Sequence, residues 1–468
     1  MIRSMLRWLA TLVLLVLLAA GAAYLIAGRG EPPRLTIDKP EKFVGQQSAL
    51  EITAEAPGAR FTSLTIAVEQ NGKSISLFTL LGGPTANITQ LDRNRLHISR
   101  PFGKQAVPEL QPGAAQIVVS ATRPSFLNLR MLSSRVAKEV QVRLEPPRVA
   151  VVSTHHYVNH GGSEMVVYRA SPPDVRSGVR VGDVEYPGSP ASGAGVADPA
   201  LKVAFFALLY DQDLNTPIAV FAQDEAGNQA KVSFVEKIFP KPFKRSKIEL
   251  DDRFLERVVP EILEHAPELK IAAPPPGGDM LPPFLKINGQ LRQMNNQQIA
   301  TLASKTSPSR LWAGPFVQLG NSQVEASFAD HRTYFYKGQE VDQQVHLGFD
   351  LAVTSNVAVV AANAGTVLNA SWLGIYGNCI IIDHGMGVAS LYGHLSSFDV
   401  KVGDTVTKGQ TIGRSGMTGL AGGDHLHFTM LVNGHPVNPV EWWDAHWVQD
   451  RVDRKLGEAG GGTSTAGR

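Results

Sequence analysis

Three short motifs in the last third of the chain bring together residues whose side chains bind metals. They are His346-Leu347-Gly348-Phe349-Asp350, Tyr392-Gly393-His394-Leu395-Ser396 and Gly423-Asp424-His425-Leu426-His427-Phe428. Side chains of a β-strand alternate between its two faces, so residues two or four apart point the same way. For all five candidate residues to form one site, three separated stretches must fold back onto one point. This requirement limits the folds that the chain can adopt.

Local composition predicts a strand at two of these motifs. Residues 345–353 contain β-branched and aromatic residues around Gly348, which is typical of a half-buried strand. On such a strand His346 and Asp350 share a face, and Gly348 places no side chain between them. Further along the chain, His425 and His427 share a face while Leu426 points into a core. The two pairs are therefore candidate metal ligands.

The number of candidates suits a hydrolytic site. A catalytic zinc usually takes three protein ligands from His, Asp or Glu and keeps a fourth position for water. Five candidates leave two histidines for other roles. Hydrolysis needs such groups, because the water must lose a proton and the tetrahedral intermediate must be stabilised by nearby donors.

These motifs resemble those of peptidase family M23, the zinc peptidases of the LytM and lysostaphin type, over roughly residues 310–448. The family pattern is H-x3-D, then a single His in a Y-x-H-L context, then H-x-H, and all three are intact here. The resemblance implies that His346, Asp350 and His427 bind Zn²⁺ and that His394 and His425 are the catalytic pair. It also implies hydrolysis of peptide cross-links in bacterial peptidoglycan, during cell-wall remodelling.

Two other functional classes stay open. Some relatives in this family have lost ligands and act as non-catalytic wall-binding modules or amidase activators. Alternatively, His346, Asp350 and His427 have the composition of a two-histidine, one-carboxylate iron oxygenase. Retained ligands argue against the first class, and the second leaves His394 and His425 without a role.

The remaining histidines have simpler interpretations. His384 lies in a strand end and turn at a position that the family does not use as a ligand, so we expect a structural role. His155, His156 and His160 form a cluster without accompanying carboxylates or cysteines, and solvated loop positions are expected.

The start of the chain predicts a membrane anchor. Arg3 and Arg7 precede an uncharged run over residues 8–27, which is long enough to cross a bilayer. Ala20-Gly21-Ala22 resembles a signal-peptide cleavage site, but the apolar run continues beyond it, which favours an uncleaved anchor. The basic residues place the N-terminus in the cytoplasm. We therefore expect a single-pass protein of the inner (cytoplasmic) membrane, with its catalytic domain in the periplasm or outside the cell.

The fold class is predicted to be mostly β. We expect an antiparallel β-sandwich catalytic domain at the C-terminus, two upstream β-sandwich-like modules of immunoglobulin type, a short helical connector and one N-terminal transmembrane helix. In the first module, Leu64, Ile66 and Val68 alternate with polar residues, and Asn71-Gly72 makes a hairpin turn. The predicted boundaries are 1–30 for the anchor, 31–146 and 147–239 for the two modules, 240–309 for the connector, 310–450 for the peptidase domain and 451–468 for a disordered tail.

Composition limits the classes of partner that we expect for this chain. A net charge of +2 over 468 residues gives no nucleic-acid footprint, and the one cysteine, Cys379, lies in a run typical of a buried strand. The expected partners are peptidoglycan peptides and, through the N-terminal helix, the membrane. A further hypothesis follows from the domain order, namely that the connector or a β module covers the cleft as an intramolecular regulator, or that a protein regulator acts there.

Overall fold

The computed structural model describes residues 2–83, 86–125 and 128–461, which divide into two compact units. The first comprises the chain up to Pro147 together with Gln223–Gln229. The second comprises Arg148–Ala222 and the chain from Ala230 onward.

The first unit begins with helix α1 (Ile2–Gly28). Its segment Ser4–Gly28 is long and apolar enough to cross a membrane, and the apolar side chains along it are exposed. A signal sequence would have the same properties, so the helix is either an anchor or a signal sequence.

A β-sandwich makes up the rest of the first unit. Its strands are β1 (Arg34–Lys39), β2 (Phe43–Val44), β3 (Ser48–Glu55), β4 (Ser63–Gln70), β5 (Lys73–Thr79), β6 (Asn87–Asp92), β7 (Arg95–Phe102), β8 (Gly113–Pro124) and β9 (Met131–Val142). They form sheets of order β1-β3-β7-β6 and β2-β9-β8-β4-β5 around one hydrophobic core. Leu64, Ile66 and Val68 are fully buried there, and both residues of the Asn71-Gly72 turn have positive φ, as the hairpin prediction required.

The second unit opens with another β-sandwich-like module. Its strands are β10 (Arg148–Val151), β11 (Tyr157–Asn159), β12 (Ser163–Ser171), β13 (Arg176–Val181), β14 (Val184–Pro187), β15 (Ser189–Pro190), β16 (Leu201–Ala207), β17 (Ile218–Gln223), β18 (Gln229–Ser233) and β19 (Lys237–Phe239). Two four-stranded sheets, β10-β12-β16-β15 and β14-β13-β17-β18, are accompanied by the parallel pair β11-β19.

The connector begins with a strand, β20 (Arg245–Leu250), and continues as helices α2 (Asp252–Glu264), α3 (Leu281–Lys286) and α4 (Arg292–Ala303), with a π-helical turn at Ile287–Leu291. Helix α2 starts where the Asp251 side chain accepts a hydrogen bond from the backbone N–H of Phe254. Val258 and Ile262, four residues apart on α2, are fully buried.

The C-terminal domain has thirteen strands and three short helices in the described part of the chain. The strands are β21 (Gln323–Ala326), β22 (Asp330–Tyr336), β23 (Gln339–His346), β24 (Phe349–Ala352), β25 (Ala358–Val360), β26 (Gly365–Trp372), β27 (Asn378–Gly385), β28 (Val388–Leu395), β29 (Ser397–Phe398), β30 (Thr405–Val406), β31 (Thr411–Arg414), β32 (His425–Val432) and β33 (His435–Val437). The helices are α5 (Val440–Trp443), α6 (Ala445–Val448) and α7 (Arg454–Ala459). The main sheet has the order β21-β24-β32-β28-β27-β26-β30, with β33 also paired to β32.

The centre of this sheet is buried on both faces, and strand alternation assigns its side chains to two cores. Ile380 and Ile382 belong to a core shared with the 148–222 module. Cys379 and Ile381, on the opposite face, belong to a core shared with the connector helices. The connector is also bound through its backbone, because β20 pairs in parallel with β22. It is therefore an integral layer of the second unit.

The predicted tail differs from the structure at its start. Helix α7 occupies residues for which disorder was expected, and Leu456 is nearly buried there while Lys455 forms an ion pair of 2.9 Å with the buried Glu164. Burial and this ion pair order the segment up to the glycine run. Residues 462–468 lie outside the described residues.

Candidate metal centre

Strand pairing brings the three sequence motifs together. In the main sheet β24 pairs with β32 so that Asp350 lies opposite His427, and β28 pairs with β32 so that Gly393 lies opposite His427. His394 follows Gly393, and His346 ends the neighbouring strand β23. All five candidate residues therefore border one site.

The route by which His346 reaches Asp350 differs from the sequence prediction. One continuous strand was expected over 345–353, but β23 ends at His346 and β24 begins at Phe349 in a different sheet. On a straight strand residues four apart are about 13 Å apart, which is too far for one metal. The bend at Leu347 and Gly348 instead brings Nε2 of His346 to 2.9 Å from Oδ1 of Asp350.

Gly348 is required at this bend by the space around it. A Cβ atom added there would lie 2.5 Å from the Thr429 hydroxyl oxygen and 2.6 Å from the His427 ring. The absence of a side chain, which the sequence suggested would leave the ligands unobstructed, here allows His427 to approach the turn.

Three atoms form a nearly equilateral triangle of the size that a metal ion needs. His346 Nε2 lies 3.0 Å from His427 Nδ1, and His427 Nδ1 lies 3.0 Å from Asp350 Oδ1. Ligand atoms at tetrahedral angles around zinc lie about 3.3 Å apart, so the triangle would open by only about 0.3 Å to hold the ion. His346, Asp350 and His427 thus form a cluster that could hold a metal.

Hydrogen bonds on the far side of each ring fix the tautomers. His346 Nδ1 donates to the Ser327 carbonyl at 3.2 Å, which leaves the lone pair on Nε2. The Thr429 hydroxyl donates to the Leu347 carbonyl at 2.9 Å and therefore accepts from His427 Nε2 at 3.0 Å, which leaves the lone pair on Nδ1. Two ring lone pairs and a carboxylate oxygen then face one point. They repel one another unless a cation lies between them, which is the strongest indication of a metal site.

The surroundings of His427 and Asp350 favour the protonation states that metal binding requires. Burial lowers the pKa of His427 from 6.5 to about 4, so this ring is neutral near pH 7. Burial alone would raise the pKa of Asp350, but the neighbouring imidazoles, with His346 as the largest influence and His425 and His427 after it, hold it well below its usual range.

The second oxygen of Asp350 is held by an arginine that the sequence only placed near the cleft. Arg332 Nη2 donates to Asp350 Oδ2 at 2.9 Å, and its Nε lies 3.5 Å from Oδ2 of the buried Asp330. This pairing orients the carboxylate so that Oδ1 faces the two imidazoles. The preceding residue, His331, makes ring contacts with Tyr210 and Phe243.

The other two histidines lie beside the triangle and share one arrangement. His394 Nδ1 donates to the Thr418 carbonyl at 2.8 Å, and His425 Nδ1 donates to the Gly423 carbonyl at 2.9 Å. Their ring centroids are 4.8 Å apart, and His425 Nε2 lies 3.4 Å from Asp350 Oδ1. Each ring therefore keeps Nε2 for exchange of a proton with a ligand in the site.

The surroundings of this pair separate their pKa values. Burial, followed by repulsion from His425, lowers the pKa of His394 well below its usual range. Burial also acts to lower the pKa of His425, but its hydrogen bond to Asp350 and the charge of Asp350 outweigh burial and raise it. His394 has a φ of 63°, at an irregularity in the β27–β28 pairing. A non-glycine residue in this conformation costs about 1–3 kcal/mol, which is common at functional sites.

The site opens into a cavity of about 690 Å³ whose walls come from two parts of the second unit. One wall is formed by the metal-binding motifs and by the glycine-rich loop before β32, including Gly422 and Gly423. The other is formed by the connector, including Phe254, Phe284 and Arg292. The connector therefore lines the same cavity as the candidate metal ligands.

Tyr376 connects the two walls. Its ring centroid lies 5.2 Å from that of His427. Burial raises the pKa of its phenol to about 12, and the positive charge of Arg292 acts against this rise. Arg292 is thus close enough to the metal cluster to act on groups that border it.

His384 and Cys379 are outside the site. His384 is fully buried, donates from Nδ1 to the Ala364 carbonyl at 2.7 Å and is bonded through Nε2 to the Ser390 hydroxyl at 2.7 Å. Cys379 is fully buried in the sheet. In the upstream cluster, His156 is buried against Ser153, whereas a solvated position was expected for it.

The part of the chain that contains these five residues is similar to known proteins. Residues 344–439 match the model of peptidase family M23. The DD-carboxypeptidase/endopeptidase Mpg of Neisseria meningitidis serogroup B is 41% identical over 97 residues, which are 21% of this chain and 22% of that protein. The peptidoglycan DD-endopeptidase ShyA of Vibrio cholerae is 38% identical over 96 residues, which are 20% of this chain and 22% of that protein.

Among solved structures, the catalytic domain of the antimicrobial peptidase lysostaphin from Staphylococcus simulans is 29% identical, covers 26% of this chain and 92% of that chain, and has a TM-score of 0.24. The chain spans about a fifth of the length of the curated relatives it matches. The likeness therefore concerns one domain.

Proposed function

Because residues 344–439 form a domain of peptidase family M23, we propose that the chain is a zinc-dependent endopeptidase that hydrolyses peptide cross-links of bacterial peptidoglycan. The observation that carries the proposal is the convergence of two lone-pair nitrogens and one carboxylate oxygen within 3.0 Å, with two further imidazoles beside them. In this proposal His346, Asp350 and His427 hold the ion.

The side chains of the protein supply proton transfer and stabilisation of the oxyanion. When bound, zinc would supply Lewis acidity to the scissile carbonyl and to the attacking water. One Nε2 of the His394 and His425 pair accepts the proton of that water, and the other donates to the developing oxyanion. The carbonyls of Thr418 and Gly423 hold a proton on each Nδ1, so the ring that accepts the water's proton does so as a neutral imidazole and the ring that donates to the oxyanion does so as an imidazolium.

The same pair supports hydrolysis over the other functional classes. An iron oxygenase of the two-histidine, one-carboxylate type has no evident use for two additional imidazoles held by backbone carbonyls. A non-catalytic module needs none of the five side chains.

The experiment uses the full chain purified in detergent. Zinc content is measured before and after chelation, and cross-linked muropeptides are digested and analysed by mass spectrometry. We expect one zinc per chain and new products that disappear in His427→Ala. The matched control is His446→Ala, at an exposed histidine of helix α6. Absence of zinc from the wild type, or full activity of His427→Ala, would contradict the proposal.

We also propose that α1 is an uncleaved anchor in the cytoplasmic membrane, with both compact units on the outer side. Support comes from its length, its exposed apolar side chains and the arginines that precede the apolar run. Intact mass of the protein extracted from membranes tests this. A mature protein that begins after residue 22 would instead identify a signal peptide.

An intramolecular regulator is proposed in the connector. Arg257 of α2 donates hydrogen bonds to the carbonyls of Met417 and Ala421, in the loop that forms the opposite wall. This link restricts the width of the cavity. Deleting the connector would be a poor test, because it would also remove β20 and expose the core that Phe284 and Leu291 fill.

A point variant is a cleaner test of restraint. In Arg257→Gln we expect faster hydrolysis of intact peptidoglycan and an unchanged rate on a small soluble muropeptide. The control is Arg253→Gln, one turn earlier on the exposed face of the same helix. An unchanged ratio of the two rates would contradict restraint through this link.

A further inference from the structure

Two arginines line the cavity, and their charges are balanced differently. Arg332 forms ion pairs with Asp350 at 2.9 Å and with Asp330 at 3.5 Å. Arg292, the first residue of α4, has no Asp or Glu carboxylate within 4.0 Å among the residues that the structure describes. The connector therefore presents to the cavity a positive charge that the described part of the protein leaves without a counter-ion.

The guanidinium of Arg292 is held in a fixed orientation. Its Nε donates to the Asn288 carbonyl at 3.0 Å, and Nη2 donates to Asn288 Oδ1 at 2.5 Å. Asn288 is fully buried, and its amide nitrogen donates to Asp342 Oδ2 at 2.7 Å, which fixes the direction of Oδ1. The arginine is thus supported by a side chain that is itself anchored.

These bonds leave one edge of the guanidinium available. An arginine has five N–H donors, and Asn288 uses those on the edge formed by Nε and Nη2. The edge formed by Nη1 and Nη2 matches a carboxylate, which it binds through two parallel hydrogen bonds. Asn296 lies one turn further along the same face of α4 and lines the same cavity.

The position of Arg292 limits where a bound carboxylate could lie in a substrate. A sphere of 690 Å³ is about 11 Å across, which is about three residues of extended peptide. Arg292 and the metal cluster line this one cavity. A peptide whose scissile bond lies at the cluster and whose chain runs towards the connector therefore reaches Arg292 within about three residues.

We propose that Arg292, assisted by Asn296, binds a free carboxylate of the substrate within about three residues of the scissile bond. This inference rests on the proposed peptidase function and narrows its substrate class. Stem peptides with a free α- or side-chain carboxylate are favoured over neutral segments, such as oligoglycine bridges or amidated stems. Arg292 is then a residue that determines specificity, on an element outside the matched family region.

The test compares two synthetic cross-linked peptides that differ only in one carboxylate, which is free in one and a carboxamide in the other. With the full chain in detergent, we expect kcat/KM for the carboxylate form to exceed that for the carboxamide by about tenfold or more. Arg292→Gln should reduce the rate on the carboxylate form and bring the ratio close to one. Arg253→Gln, at an exposed arginine of α2, should keep the wild-type ratio.

A second measurement distinguishes failure of the carboxylate subsite from failure of the proposed peptidase function. Binding of both peptides to chelator-treated protein is measured by calorimetry, with Arg292→Lys as a variant that keeps the charge but loses the fork. Carboxylate preference that depends on Arg292, without hydrolysis of either peptide, would support the subsite and contradict the peptidase function. Hydrolysis of both peptides at equal rates by the wild type would overturn the subsite and leave the function standing. The ratio of the wild-type rates on the two peptides tests the carboxylate preference even if Arg292→Gln does not fold.

Discussion

Replacing Thr429 by valine should weaken metal binding without touching a ligand. The Thr429 hydroxyl accepts a hydrogen bond from His427 Nε2 at 3.0 Å and donates one to the Leu347 carbonyl at 2.9 Å. Valine has nearly the same shape but lacks both bonds. His427 is then free to exchange tautomers, and its Nδ1 lone pair is no longer fixed towards Asp350 and His346.

The two lost bonds affect different measurements. The Leu347 carbonyl is left unpaired with or without metal, so its loss reduces the free energy of unfolding by about 1–3 kcal/mol and cancels from the affinity. The bond to His427 strengthens when that ring binds a cation, and losing such a partner costs about 10–100-fold in metal affinity. This range corresponds to about 1.4–2.7 kcal/mol.

Zinc affinity is measured by competition with a chromophoric chelator at pH 7.5, alongside thermal unfolding of the metal-free protein. Thr429→Ser keeps the hydroxyl and should bind zinc within a few-fold of the wild type. If folded Thr429→Val bound zinc as tightly as the wild type, Thr429 would not be the residue that sets the tautomer of His427, and the lone-pair argument for the site would fail.

Three further predictions concern the surroundings of the site. Gly348→Ala should lower zinc affinity at least tenfold in the same competition assay, because its Cβ would overlap the His427 ring. The control is Gly457→Ala, which should leave zinc affinity unchanged because no other atom lies within 4 Å of the added Cβ. Arg332→Met should destabilise the metal-free protein by about 3 kcal/mol, because Asp330 and Oδ2 of Asp350 lose their cationic partner, and zinc should raise its Tm more than that of the wild type; equal zinc shifts would contradict this. Burial lowers the pKa of His384 from 6.5 to about 4, so the unfolded chain binds this proton at higher pH than the folded chain does. The neutral buried ring should therefore contribute about 3 kcal/mol to the free energy of unfolding above pH 6.5, and this contribution should be lost as pH falls towards 4. Urea unfolding of His384→Gln should show a flatter pH dependence than that of the wild type.

Strand alternation accounts for what the sequence could predict. The pattern at Leu64, Ile66 and Val68 and the H-x-H pair depend only on the twofold period of a strand, which is local information. The same rule could have found Thr429, because it follows His427 by two residues and shares its face. It was missed because a threonine carries no metal-binding signal by itself.

Other features depend on contacts between distant segments. The bend at Gly348 could not be predicted from local propensity, since β-branched residues favour a strand on both sides of it and only the change of sheet between β23 and β24 requires the turn. Arg332 precedes Asp350 by eighteen residues and reaches it from another sheet. Helix α7 was not predicted because the neighbouring glycine run suggested disorder, although the buried side chain of Leu456 packs the helix against the core.

The division of the cavity walls limits what relatives can reveal about substrate choice. The family match begins at residue 344, so the proposed metal ligands lie inside it, while Arg292 and Arg332 lie outside. A metal site can act on any peptide bond that reaches it, whereas discrimination between peptides depends on groups that contact the rest of the substrate. Since the alignments to the DD-endopeptidases span about a fifth of each protein, whether this chain hydrolyses peptides, and at which bond, has to be determined on its own second unit with the connector present. The carboxylate and carboxamide peptides make that determination at the wall that lies outside the matched region.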